Sequence, residues 1–443
     1  MNTQLPLPRN TIEKTFQEHY RTISTNQNEK NTFFSSIRQE SYHFFSQQGI
    51  PTRKTERYRY TPLIERLTPL FEQGITYGHG LLQHASLPPL LQSIEGYTLT
   101  LCNGSLVAQE APQENTPFEI YSLAEGYQKY PDEVKAYFNQ QAQAAQDPLV
   151  ALNSALWHTG CFIYLPPQTQ LDKPLILHHY INAPTPTTIY PRLLFVMGAH
   201  STATVIETLT TPYPSVPSLV NRVGEIVLQT GTQLTYYPLQ VVAPPAYQLR
   251  YTYVHQETNS HFAQYLTAAT PHQTFVRDET NIQLHGPHAE AHLQGLYSSK
   301  KAQHLALHTS VDHKSPHTTT SQQYKGIGQG TSTTLFDGYV HIAPEAQKTV
   351  ASQQHKGWIL SDQASIHARP QLAIEADDVQ CSHGTTTTQL DPSIIAYMQA
   401  RGIPRPQAEK MLLEGFFEKE IDTIPHTEVK KAVRQTFSES LDL

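Results

Sequence analysis

The stretch Ile374 to Asp391, IEADDVQCSHGTTTTQLD, is the part of this 443-residue chain richest in side chains that could do chemistry. It holds two adjacent carboxylates (Asp377, Asp378), a thiol at Cys381, an imidazole at His383 and a glycine at 384. In an extended strand, residues two apart point the same way, about 6.6–6.8 Å along the chain. Cys381 and His383 therefore share a face, with Ser382 on the other. A soft thiolate beside an imidazole suits iron or zinc, or a sulfur-accepting nucleophile whose pKa a neighbouring cation lowers. Two ligands do not complete a metal site, so the rest must come from elsewhere in the chain or from a partner. The plainer alternative is a small buried cysteine and an exposed histidine at a strand end.

Other motifs carry less. His313 and His317 are four apart, but Pro316 argues against a helix that would turn both to one metal, and no HExxH glutamate follows. Structural polar contacts suit them better. Gly326-Ile327-Gly328-Gln329-Gly330 resembles part of a dinucleotide loop without its strand–loop–helix setting, and reads as a mobile turn. Neither GxxxxGK[ST] nor GxSxG occurs, so no nucleotide hydrolysis is expected from this chain alone. Asp377–Asp378 could serve a carbohydrate-active enzyme as acid and base. That rival would be secreted, and the polar start MNTQLPLPRNTIEKTF lacks the pattern of a signal peptide.

The elements that must position these residues follow from periodicity. Ile12, Phe16, Tyr20 and Ile23 fall on one helical face, and a second helix carrying Phe34, Ile37, Phe44 and Phe45 stops at Gly49 before Pro51. Residues 65–125 give a mixed signal. A further helix is expected over 132–158. From about 160 to 385, short apolar runs such as CFIYLP, RLLFVMG and GEIVLQTG recur between Gly, Pro, Asn and Thr clusters, with a period of two. A sandwich, a pair of barrels and a solenoid all fit, because no strict repeat is visible. The last 55 or so residues return to helix. Asp391 and Pro392 start one that Gly402 ends, a second carries Ala408, Met411 and Leu412, and a third places Val429, Val433, Phe437 and Leu441 on one side. Three units result: 1–158 mostly helical, 159–388 β core, and 389–443 helical.

Composition sets the outer bounds. Lys and Arg number 31 against 38 Asp and Glu, a net charge of −7, which provides no field for nucleic acid or an anionic membrane. Cys102, Cys161 and Cys381 form no CxxC pair and no disulfide framework. No apolar run reaches the ~18 residues of a membrane span. A soluble cytoplasmic protein with reduced thiols is the expectation.

Several spaced segments together resemble one family. SQQYKGIG, FDGYVHIAPEAQKTVASQQHKGWILSDQASIHARPQLAIEADDVQCSHGTTTTQLD, LVALNSALWHTG and GPHAEAHLQGLY look like the signature of the SufB/SufD family of iron–sulfur assembly proteins. The resemblance runs from about residue 30 to the C-terminus and is dense from about 280 to 415. GIPTRKTERYRYTPL (Gly49 to Leu63) and CSHGTTTTQLD are similar to the SufD type of subunit rather than the SufB type. Tyr58 stands where the family usually has Trp, and Thr385 to Thr388 replace a run with more Ala and Gly.

The resemblance implies a fold that the periodicity leaves open: mainly β, a right-handed parallel β-helix core flanked by N-terminal and C-terminal α-helical domains. It implies a non-catalytic scaffold that pairs with a SufB-like subunit through the β-helix ends and docks a SufC-type ATPase on its C-terminal helices. A transient iron–sulfur cluster would be shared with SufB, sulfur would arrive through SufB, and this chain would bind no nucleotide. Carried over by motif, Cys381 and His383 are the cluster-assembly interface and the expected, transient metal ligands. Tyr397, Arg401, Ile403 and Phe416 are the expected ATPase contact, unless they simply pack the helical domain. A stand-alone binding module is the alternative.

Overall fold

Strand after strand between residues 161 and 389 alternates inward and outward side chains, and together they build a parallel β-helix. The computed structural model describes residues 9–26, 32–78, 85, 87–107, 116–240, 247–269 and 275–441. Strand outweighs helix, 41% to 28%, and from Arg192–Met197 onward successive strands fall alternately into two sheets, in a solenoid of about seven turns. The first sheet ends on Thr333–Ile342 and Ser365–Ile374, the second on Thr319–Gly328, Val350–Ile359 and Gln380–Gln389. Helices flank this core on the N- and C-terminal sides. No described helix is long and apolar enough to cross a membrane.

The lumen explains why no hydrophobic period announces the turns. Its inward columns mix apolar residues with threonine, glutamine and buried charge. Arg222 donates to Glu207 at 2.7 Å, and His179 meets the same carboxylate at 2.8 Å. Room for tyrosine is made by glycine on the adjacent turn. Gly295 pairs in register with Tyr324, and Gly326 with Tyr297. A Cβ on Gly326 would lie 1.9 Å from the Tyr297 ring and one on Gly295 2.2 Å from the Tyr324 ring. The Gly326–Gly328 stretch is therefore strand, not the mobile turn the sequence suggests; the turn begins only at Gln329, with Gly330 at φ +65°.

The two ends of the solenoid differ. At the first, Tyr97–Cys102 pairs with Leu175–Tyr180, and Ser105–Leu106 folds back antiparallel through Asn103 and Gly104, both at positive φ. Glu119–Tyr121 closes the other sheet, also antiparallel. The expected helix over 132–158 is broken. After Pro131–Tyr137 the chain extends at Phe138 and enters the left-handed region at Asn139, and Pro148–Leu156 starts anew with Asp147 as its cap. At the other end, Ser365–Ile374 and Gln380–Gln389 are outermost in their sheets among the described residues.

The N-terminal helices bury Ile12, Phe16 and Phe45 with Tyr58, Leu149 and Leu152 against the outer face of the first sheet, at Leu249, Tyr251 and Tyr253. The C-terminal helices Arg405–Asp422 and Thr427–Ser440 pack Leu413, Phe417, Val433 and Phe437 on the second sheet, at Tyr237, Leu239 and Leu296.

Candidate functional site at the open end of the solenoid

In Gln380–Gln389 the residues at 381 and 383 continue inward columns. Cys381 pairs in register with Ala351, and His383 with Gln353; both lower residues are buried in the lumen. The predicted shared face is thus present, and it is the lumen face of the last strand. His383 is exposed because no described strand stacks on this one, whereas Cys381 is half-buried and touches the main core.

The edge is also open in its backbone. Gln380 N–H donates to Thr349 O at 2.9 Å. In a parallel ladder alternate residues bond to opposite neighbours. The N–H groups of Cys381, His383, Thr385 and Thr387 consequently face outward. Beside them, Ile374 is 43% exposed at the end of the other outermost strand. Edges of this kind are usually protected by charge, proline or a covering element, because they template pairing with another chain. Here the run from Thr385 to Thr388 carries no charge.

Burial pushes the Cys381 thiol up, against a backbone hydrogen bond from Ala351 that favours the thiolate. The shift runs opposite to the one a neighbouring cation would produce. Among the described residues no three His, Cys, Asp or Glu side chains come together as a metal site. Cys381 and His383 could provide at most part of a ligand set. The other two thiols are remote: Cys102 and Cys161 are buried, and burial pushes the Cys161 thiol up to about 12.

Of the two neighbouring acids, Asp378 does structural work. Asp378 pairs with Lys348 and accepts its N–H at 2.6 Å, tying one turn to the next. His313 is buried between the Thr318 and Thr320 hydroxyls, at 2.7 and 3.0 Å, and the His317 ring stacks on His288.

The C-terminal helices separate the four residues expected to act together. Tyr397 is 60% exposed, with the Arg401 guanidinium 5.0 Å from its ring centre, and Ile394 and Met411 are exposed as well. Ile403 is half-buried just past Gly402, which closes the helix at φ +86°. Phe416 is not on that outer face: its ring stacks on Trp358 at 4.2 Å under Lys325 Nζ.

One group of residues escaped the sequence reading. Glu279 accepts from both Arg57 and Arg277, and Arg277 Nη1 donates to His308 Nε2 at 2.8 Å. The Arg277 guanidinium also covers the ring of Tyr58, whose hydroxyl donates to Asp147 at 2.6 Å. The motif Gly49 to Leu63 is thus fastened to the first sheet by buried charge. Arg277-Asp278-Glu279 was the available signal: in a strand it puts an Arg and a Glu on one face.

Two family models match this chain: the SufBD protein N-terminal region over residues 10–177, and the SufBD core domain of SUF-system FeS cluster assembly over 179–416. An iron-sulfur cluster assembly SufBD family protein of Synechocystis is 25% identical over 403 residues, covering 88% of this chain and 87% of that protein. The iron-sulfur cluster assembly protein SufD of Bacillus subtilis is 23% identical over 309 residues, 68% of this chain and 69% of its own length. A chloroplastic protein of Arabidopsis thaliana, ABCI7, is 29% identical over 215 residues, which span 48% of this chain and 45% of the plant protein.

Proposed function

The chain belongs to the SufBD family of iron–sulfur cluster assembly proteins, and on that footing we propose that it is a non-catalytic scaffold subunit of a cytoplasmic SUF complex, of the SufD type. A SufB-like subunit pairs with the open end of the solenoid, and a SufC-type ATPase docks on the C-terminal helices. The cluster is cargo, assembled at the junction with the SufB-like chain. The observation that carries this reading is the open edge itself: outward N–H groups on Gln380–Gln389, with His383 exposed on its lumen face. A partner strand added there would satisfy those groups and place its own side chains beside Cys381 and His383. An incomplete Cys-x-His pair then has a use, because the partner supplies the missing ligands. On the helical side, Tyr397 and Arg401 with Ile394 and Met411 form the contact, and Phe416 holds the helix that bears Met411 against Trp358.

Co-expression with SufB- and SufC-type subunits tests the assembly. Wild type should co-purify with both. Thr387→Pro removes an outward N–H while leaving the internal ladder bonded, and should release the SufB-like chain but retain the ATPase. Retention of both would place the pairing elsewhere.

A further inference from the structure

A cleft of about 570 Å³ lies on the outer face of the first sheet and reaches its outermost strand at Arg369 and Gln371. That volume falls within the ~300–1,000 Å³ of small-molecule sites. Tyr253, Asn281, His308 and Tyr339 line it from the strands, and Arg57 and Gln146 line it from the N-terminal side.

Its hydrogen-bonding inventory is lopsided. The carboxylates are engaged: Asp337 accepts from Gln371 at 2.7 Å, Asp312 meets His341 Nδ1 at 2.7 Å, and Glu56 accepts from Arg369 at 2.8 Å. The donors are not. The Tyr253 hydroxyl and Asn281 Nδ2 have no partner among the described residues, and Tyr253 is only 3% exposed. Arg57, a third exposed, donates through Nη2 to Glu279 and to Asn281 Oδ1. That bond fixes the Asn281 amide with its NH₂ as the spare group. A buried donor left without an acceptor costs about 1–3 kcal/mol, so two beside one cleft point to a ligand that accepts. Glu56, Asp312 and Asp337 outnumber Arg57 and Arg369 in the lining, and Arg57 is already opposed by Glu279, which disfavours a dianion such as phosphate. Tyr339 is 39% exposed at the cleft and offers a planar face.

We propose that this cleft binds a small organic monocarboxylate carried on a planar body, its oxygens taken by Arg57, Asn281 Nδ2 and the Tyr253 hydroxyl and its body lying along Tyr339. Burial keeps the Tyr253 phenol protonated and able to donate. Such a ligand would bridge the N-terminal segment and the first sheet.

The test is fluorine NMR of 4-fluorobenzoate with the full chain, set against 4-fluorobenzamide and inorganic phosphate as competitors. Saturable binding on the order of millimolar is expected for so small a probe. It should weaken about tenfold in Asn281→Asp, which puts a negative charge where the donor stood, and several-fold in the isosteric Tyr253→Phe. Phosphate should not displace it. Equal binding in wild type and both variants, displacement by phosphate, or no saturation by ~10 mM would each overturn the proposal.

Discussion

His383 stands in register directly over Gln353, at the point where the lumen of the β-helix meets solvent. Gln353 is 1% exposed, and neither polar atom of its side chain has a partner among the described residues. A histidine that continues such a column is set by the backbone of the last turn, and its exposure comes from the end of the stack rather than from a loop. Side-chain direction and accessibility are thus fixed together. That combination suits a ligand whose partners arrive on another chain.

The ATPase contact should separate from stability. Tyr397→Ala with Arg401→Glu is expected to weaken SufC-type binding at least tenfold while the unfolding midpoint stays put, since both side chains are exposed. Phe416→Ala should instead cost about 3–5 kcal/mol of stability by leaving a cavity against Trp358. Denaturant titration beside a binding assay distinguishes the two. A stability loss in the first variant without a binding loss would return Tyr397 and Arg401 to packing.

The tyrosine–glycine pairs of the lumen give a sharper packing test. Gly326→Ala drives a methyl into the Tyr297 ring and should cost about 1–3 kcal/mol. In a Tyr297→Leu background the same change should cost markedly less, a coupling that a double-mutant cycle measures. Additive effects would mean that the ring moves aside freely.

Buried histidines set the direction of the pH dependence. Burial lowers His313 and His355 to about 4, against about 6.5 in the unfolded chain. Between those values the unfolded state binds more protons, so stability rises with pH and is lost as pH falls from about 6.5 toward 4. A tenfold difference in proton affinity between the folded and unfolded chain is worth roughly 1.4 kcal/mol, which bounds what each imidazole contributes per pH step across that window. Urea unfolding at pH 7 and pH 5 should show the loss, and His313→Gln should flatten it. A stability unchanged across that range would contradict the burial of these imidazoles.

Breaking the charge cluster behind the N-terminal motif should be costly. Glu279→Gln leaves the buried Arg277 and the part-exposed Arg57 without their shared anion, which is expected to cost about 3–5 kcal/mol. Limited proteolysis around residues 49–63 should then speed up. Unchanged cleavage would show that the motif is held by Tyr58 and its apolar neighbours alone.

Legibility in the sequence tracked how local each determinant was. The helical spacings of Ile12, Phe16 and Ile23, and of Val429, Val433, Phe437 and Leu441, all became buried faces, because a helix brings its own neighbours into line. The cap at Asp391 was equally readable, since its carboxylate accepts from Ser393 two residues on. The solenoid was recognisable through family resemblance and not through periodicity. Its turns keep nearly one length through the middle of the solenoid but lengthen toward its ends, and its inward positions include Thr320, Gln322 and Gln353, so hydrophobicity does not repeat with them. The break at Phe138 and Asn139 was hidden because left-handed asparagine leaves no composition signal. The Arg57–Glu279 pair joins residues 222 apart, which no window along the chain can reveal. The shared face of Cys381 and His383 was legible from strand geometry; that it faces the lumen at an open end required the register.

The most direct test compares wild type with His383→Ala after co-expression with SufB- and SufC-type subunits, reading complex yield, iron and acid-labile sulfide in anaerobically purified material. An intact complex that has lost iron and sulfide is the predicted result, and it assigns His383 to cluster assembly at the junction. An intact complex with undiminished iron and sulfide would contradict the account and leave His383 as the exposed end of a packing column.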